Sequence, residues 1–115
     1  MSPSIPTPPL LSIPIVPTPD IQFLHSNTSR INLNPLEATI HFGNLTELPV
    51  GQFSIRDSLV LTLPHVHAKI LSVMLATAVE KYEKEFGEIG IPKLFDVENY
   101  KNEVEKNMKK IRENF

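Results

Sequence analysis

The chain has no cysteine and no tryptophan, only four glycines, and no lysine or arginine before Arg30. The first absence excludes disulfides, a thiol nucleophile and cysteine-ligated zinc, and it fits a reducing, cytoplasmic setting. No apolar run reaches the roughly 18 residues that a membrane span needs. An N-terminus without a positive charge, whose short apolar runs are all broken by proline, makes a poor signal peptide. Net charge is also nearly absent, at -2 with a pI near 6.1. Bulk charge therefore gives no support for nucleic acid or an anionic membrane as partner.

Proline is abundant, and it sits at one end. Seven of the eleven prolines precede Asp20. Proline fixes φ and removes backbone donors, so residues 1–19 read as an extended, polyproline-like arm. Composition favours a solvated tail. Ile5, Leu10, Leu11, Ile13, Ile15 and Val16 support a second reading, an arm laid across a neighbouring subunit or a partner's groove. The 115 residues suit one domain. Once the arm is set aside, what is left is small enough that association with copies of itself would help it bury its core.

Three strand candidates follow. The first runs from about Ile21 to Leu33, broken near Asn27-Thr28-Ser29, and Asn34-Pro35 makes a turn. The second is EATIHFG, with Ala38, Ile40 and Phe42 on one face and Thr39 and His41 on the other. Leu45 to Gly51 is expected to be a loop. The third, QFSIRDSLVLTL, alternates most clearly, placing Phe53, Ile55, Leu59, Leu61 and Leu63 on one face. Asp57 interrupts that face and marks a bulge, an exposed strand end or a polar contact.

A long helix is expected over Pro64 to Phe86, with Pro64 at its first position and Gly87 just past its end. Its middle, ILSVMLATAV, is apolar on almost every side. A helix on one small sheet needs a single apolar face, and one apolar all round is covered all round. With so little chain available, the cover points to another subunit. After the linker GEIGIPKL, a second helix spans about Val97 to Asn114. Asp96 is its N-cap, and Phe95 and Tyr100 form a hydrophobic staple. Val97, Tyr100, Val104, Met108, Ile111 and Phe115 make a narrow docking stripe.

Chemistry-bearing patterns are sparse. His65 and His67 stand two apart, which on a helix turns them about 200° away from each other, and metal-binding i,i+4 spacing is missing. His25 and His41 lie on strands and are able to approach each other, but no carboxylate pattern accompanies them. The chain has no G-x-S-x-G, P-loop or G-x-G-x-x-G. Arg56 and Asp57 adjoin on one strand and so face opposite sides. Glu80, Glu83, Glu85 and Glu88 line a solvated helix end. Lys106, Lys109, Lys110 and Arg112 form a basic cluster diluted by Glu103, Glu105 and Glu113, with no aromatic stacking surface. No catalytic, cofactor-binding or metal-ligating residue is assigned, and the chain is not expected to be an enzyme.

NPLEATIHFG, the alternating strand and LPHVHAKILSVMLATAVEKYEKEFGEI together resemble the small prokaryotic proteins of domain of unknown function 3467. His67, Ala68 and Lys69 match one element of that family's pattern. Tyr82, Glu83, Phe86, Gly87, Glu88 and Ile89 match the most specific one, and Glu37, Ile40 and Phe42 match a third. The resemblance covers about Ser26 to Ile89, leaving the arm and last helix as additions. Two positions depart from the pattern: His41 replaces a usual Asp, and Leu63 replaces a usual capping Ser. The second departure loses an N-cap hydroxyl worth on the order of 1 kcal/mol, unless Thr62 substitutes. The resemblance implies an architecture and no chemistry.

The expected fold is α+β: a short antiparallel β-meander followed by a long helix, plus a C-terminal amphipathic helix. The expected organisation is an arm over 1–19, a meander-and-helix domain over 20–89, and a linker with the last helix over 90–115. The function this suggests is a non-enzymatic, homo-oligomeric interaction or scaffolding protein, at least a dimer. It would bind another protein through the arm or the last helix. One alternative is a chaperone-like client- or peptide-binding protein, since a meander with a long helix is similar in architecture to the SecB export chaperones. The other is a small nucleic-acid-associated regulator using the basic cluster.

Overall fold

The turn at Asn34 organises the first half of the fold. Its side-chain Oδ1 accepts hydrogen bonds from the backbone N–H of Leu36 and Glu37, both at 2.9 Å. Its own N–H donates to the Glu37 carbonyl at 3.0 Å. An asparagine that mimics a backbone turn in this way reverses the chain tightly. It joins β1, Thr28–Leu33, to β2, Glu37–Leu48. A three-residue 3-10 turn, Pro49–Gly51, then leads into β3, Gln52–Pro64. The computed structural model describes residue 9, residues 12–93 and residues 95–113. Ile5, Leu10, Leu11 and Phe115, named above for the arm and the docking stripe, lie outside the described residues.

The three strands form one antiparallel sheet in the order β1-β2-β3. It is followed by α1, His65–Phe86, and α2, Val97–Glu113. The α+β fold expected from the sequence is the fold observed. Among the described residues no helix is long and apolar enough to cross a membrane.

Two strand boundaries differ from expectation. Residues 21–27 do not join the ladder. Instead Ser26 Oγ donates to the carbonyls of Thr28 and Gly43, and the Asn27 side chain accepts from the Leu45 N–H at 2.8 Å. Apart from one backbone bond, Asn27 N–H to the Gly43 carbonyl at 3.1 Å, side chains take over the pairing there, so β1 is shorter than the sequence suggests. β2 is longer: Leu45 to Leu48 pair with Ile55 to Gln52, where a loop was expected.

The bulge that Asp57 hinted at is present. Phe42 lies opposite Leu59 and Gly43 opposite Asp57, which leaves Ser58 as the extra residue. Side chains on a strand alternate strictly, so one added residue exchanges the faces beyond it. Leu59, Leu61 and Leu63 share a face with Ala38, Ile40 and Phe42, while Phe53 and Ile55 lie on the opposite face with Leu45. The single apolar face expected for β3 is therefore two half-faces on opposite sides. Gly43 permits this crossing: a Cβ there would lie 2.5 Å from the Arg56 carbonyl oxygen.

Pro64 ends β3, where it pairs with Glu37, and occupies the N-cap position of α1, one residue earlier than expected. No side chain caps the helix start, so Thr62 does not replace the missing hydroxyl. At the other end Gly87 has φ 102° and its N–H bonds the Glu83 carbonyl, a conformation that suits glycine. Helix α2 is capped as expected, with Asp96 Oδ1 accepting from the Asn99 N–H at 3.1 Å. The Phe95 and Tyr100 rings pack 5.6 Å apart. Asn107 exchanges two 3.4 Å hydrogen bonds with the backbone of Leu33, which holds α2 along the outer edge of β1.

Ala38 and Ile40 are the only apolar side chains among the described residues that count as buried. None of α1 is buried, and Val66 is 73% and Phe86 72% exposed. The radius of gyration is 18.4 Å, against about 13 Å for a compact domain of this length.

Candidate functional site

Two features stand out from this frame, a charged cluster on one sheet face and a large uncovered apolar surface. The cluster takes one residue from each strand. Arg30 lies opposite His41 across β1 and β2, and Asp57 follows on β3 beside the bulge. Arg30 grips the Asp57 carboxylate with both ends of its guanidinium, at 3.0 and 2.6 Å. His41 Nδ1 approaches the same carboxylate at 3.3 Å. The hydrogen bonds from Arg30 hold the Asp57 carboxyl below the usual carboxylate range, with His41 adding to the effect and partial desolvation opposing it. The same contact raises Arg30 above its ordinary value.

This arrangement fastens the three strands together. The bidentate fork engages both carboxylate oxygens, and His41 shares one of them. The nearest hydroxyl in sequence, Ser58 Oγ, donates to the Phe42 carbonyl instead. The sequence reading treated Arg56 and Asp57 as back to back and did not foresee Arg30 as the partner. The signal lay in Asp57 itself, a charge placed in an apolar alternation.

The histidines separate as helical geometry requires. His65 Nε2 lies 2.8 Å from the Asn34 carbonyl oxygen, which only accepts, so Nε2 carries the proton. That bond ties the start of α1 to the β1–β2 turn. His67 is exposed, and Ala68 beside it is half-buried. His25 supplies only its backbone carbonyl, to Asn44 Nδ2 at 3.1 Å. Among the described residues no group of three or more His, Asp or Glu side chains is placed to hold a metal ion. In the basic cluster of α2, Lys106 pairs with Glu103 and Arg112 with Glu105.

The uncovered surface is apolar. An open groove of about 690 Å³ runs over the sheet beside the bulge, lined by Leu24, Phe42, Leu59, Leu61 and Phe95 together with polar residues of 26–29. Its apolar floor is the half-face on which Ala38 and Ile40 lie. On the opposite half-face Phe53 and Ile55 are exposed, as are Ile70, Val73, Met74 and Leu75 of α1. Isolated exposed apolar residues are ordinary, whereas apolar residues grouped on one surface are a feature of interaction sites in general.

A family profile described as protein of unknown function (DUF3467) matches residues 3–91. The chain belongs to that family. The match begins well before Ser26, so the proline-rich arm is part of the DUF3467 region and not an addition to it. Helix α2 lies beyond the matched residues. None of the curated proteins and none of the solved structures matches the chain. The three-strand, one-helix unit that carries both the charged cluster and the apolar surface thus falls within the DUF3467 match, with only Phe95 of the groove outside it.

Proposed function

We propose that this DUF3467 protein is a non-enzymatic interaction or scaffolding subunit that works as a homo-oligomer, at least a dimer. One observation carries this reading: among the described residues only Ala38 and Ile40 are buried apolar side chains, while a helix of 22 residues has none. Hydrophobic burial is the main term that offsets the conformational entropy lost on folding. A chain of this length that hides so little apolar surface gains the rest from a partner. Another protein is engaged through the arm or through α2, the elements at the two ends of the chain. Light scattering at micromolar concentration tests this. A mass of two or more chains is expected, and a stable, folded monomer would sink it.

The groove over Phe42, Leu59 and Leu61 favours a second reading, in which an oligomer binds unfolded or extended client segments there. Suppression of client aggregation that weakens on Leu59→Asp supports it. No effect at molar excess counts against it.

A further inference from the structure

Helix α1 carries two apolar stripes, and they differ in length. Ala68, Leu71, Leu75, Ala78 and Tyr82 recur at alternating spacings of three and four, the heptad pattern of a helix–helix seam. Val66, Ile70 and Val73 form the other stripe, on the N-terminal half alone. The longer seam is uncovered: Leu75, at its middle, is 63% exposed and Tyr82 52%.

We propose that two copies of this chain pair antiparallel along this seam, with Leu75 of one copy against Ala78 of its partner and Leu71 against Tyr82. This deepens the homo-oligomer reading above and rests on it. Two arguments select the occupant and its direction.

The first is area. The chain exposes 10638 Å², against about 6,300 Å² for a compact monomer of its mass. An obligate dimer hides about 2,000–5,000 Å² over both partners. The excess of about 4,300 Å² on each chain exceeds the roughly 1,000–2,500 Å² that one partner of such a dimer hides, so each copy carries ample surface for a second copy to cover.

The second is side-chain size. The two ends of the seam differ in size, with Ala68 at one end and Tyr82 at the other, followed by Phe86. Parallel pairing in register would set Tyr82 against Tyr82 and Ala68 against Ala68, crowding one end and leaving a void at the other. Interiors tolerate neither. Antiparallel pairing at this register keeps the two Tyr82 rings at opposite ends, each against a Leu71, and sets Leu75 against Ala78 near the centre. It also brings opposite ends of the two helix dipoles together.

The absence of cysteine makes the test clean. Leu71→Cys and Tyr82→Cys variants are oxidised separately and as a refolded mixture, then separated without reductant. Residues 71 and 82 lie about 16 Å apart along a helix, too far for identical positions of an antiparallel pair to bridge. A covalent dimer is expected in the mixture and not from either variant alone. Self-linked dimers of each variant overturn the antiparallel seam. No link in any sample, with light scattering still reporting a dimer, overturns the role of α1 and leaves the oligomer reading standing. A monomer sinks both. Hydrogen exchange on the unaltered chain guards against a folding defect in the variants. Protection of α1 amides should fall on dilution, and protection independent of concentration overturns the proposal.

Discussion

Arg30 and Asp57 sit on the two outer strands of the sheet and meet across the middle one, in a two-pronged contact of 3.0 and 2.6 Å. Strands that are not neighbours rarely touch through side chains. Here a long guanidinium spans β2, and His41 on that strand joins the same carboxylate. The cluster locks both strand registers at once, beside the residue where the ladder is irregular.

Acid should loosen the sheet through Asp57. Its carboxyl titrates lower in the folded chain than when unfolded, so its contribution is fully present above the unfolded value of about 3.9 and is lost as pH falls through the lower folded value. Melting temperatures from pH 7 down to pH 3 should therefore fall more steeply for the natural chain than for Asp57→Asn. Parallel curves would show that the contact contributes nothing to stability.

Gly43→Ala should be among the most damaging small substitutions in the chain. The added carbon would sit 2.5 Å from a backbone carbonyl oxygen, which cannot swing aside as a side chain does. Overpacking of this kind costs about 1–3 kcal/mol. Urea denaturation reads the loss directly, and an unchanged midpoint would mean that the strands separate more easily than their pairing suggests.

Val50 should be improvable. It holds φ 75° in the turn between β2 and β3, where a β-branched residue is strained, and it touches little, being 95% exposed. Val50→Asn should stabilise the hairpin by about 1 kcal/mol, since Asn tolerates this region. A rise of a few degrees in the melting temperature is the expected result.

Asp96→Ala should fray the start of α2 without disturbing the sheet. An N-cap of this kind is worth about 1 kcal/mol. Amide exchange should quicken over Val97 to Lys101, while the amides of β2 keep their rates.

The elements themselves were legible because their periodicity is local. Alternation revealed the strands, and the 3–4 spacing with Gly87 and Asp96 revealed both helices. What the sequence hid was non-local. β2 continues through Leu45 to Leu48, where a loop is expected, because Ser26 and Asn27 and the facing residues of β3 supply partners from elsewhere in the chain. The Arg30 contact was hidden for the same reason, since which residues face each other depends on register and not on nearness in sequence. Asp57 alone gave warning of both the bulge and the contact.

Ser58 has a consequence of a different kind. It is the one residue of β3 without an opposite number on β2. One residue added to β2 between Phe42 and Gly43 would give Ser58 a partner and leave a plain ladder, on which Phe53 and Ile55 share a face with Leu59, Leu61 and Leu63. A sheet that presents apolar side chains in two directions would then present them in one, so a single residue of mismatch between two strands decides whether this sheet is sticky on both sides or on one.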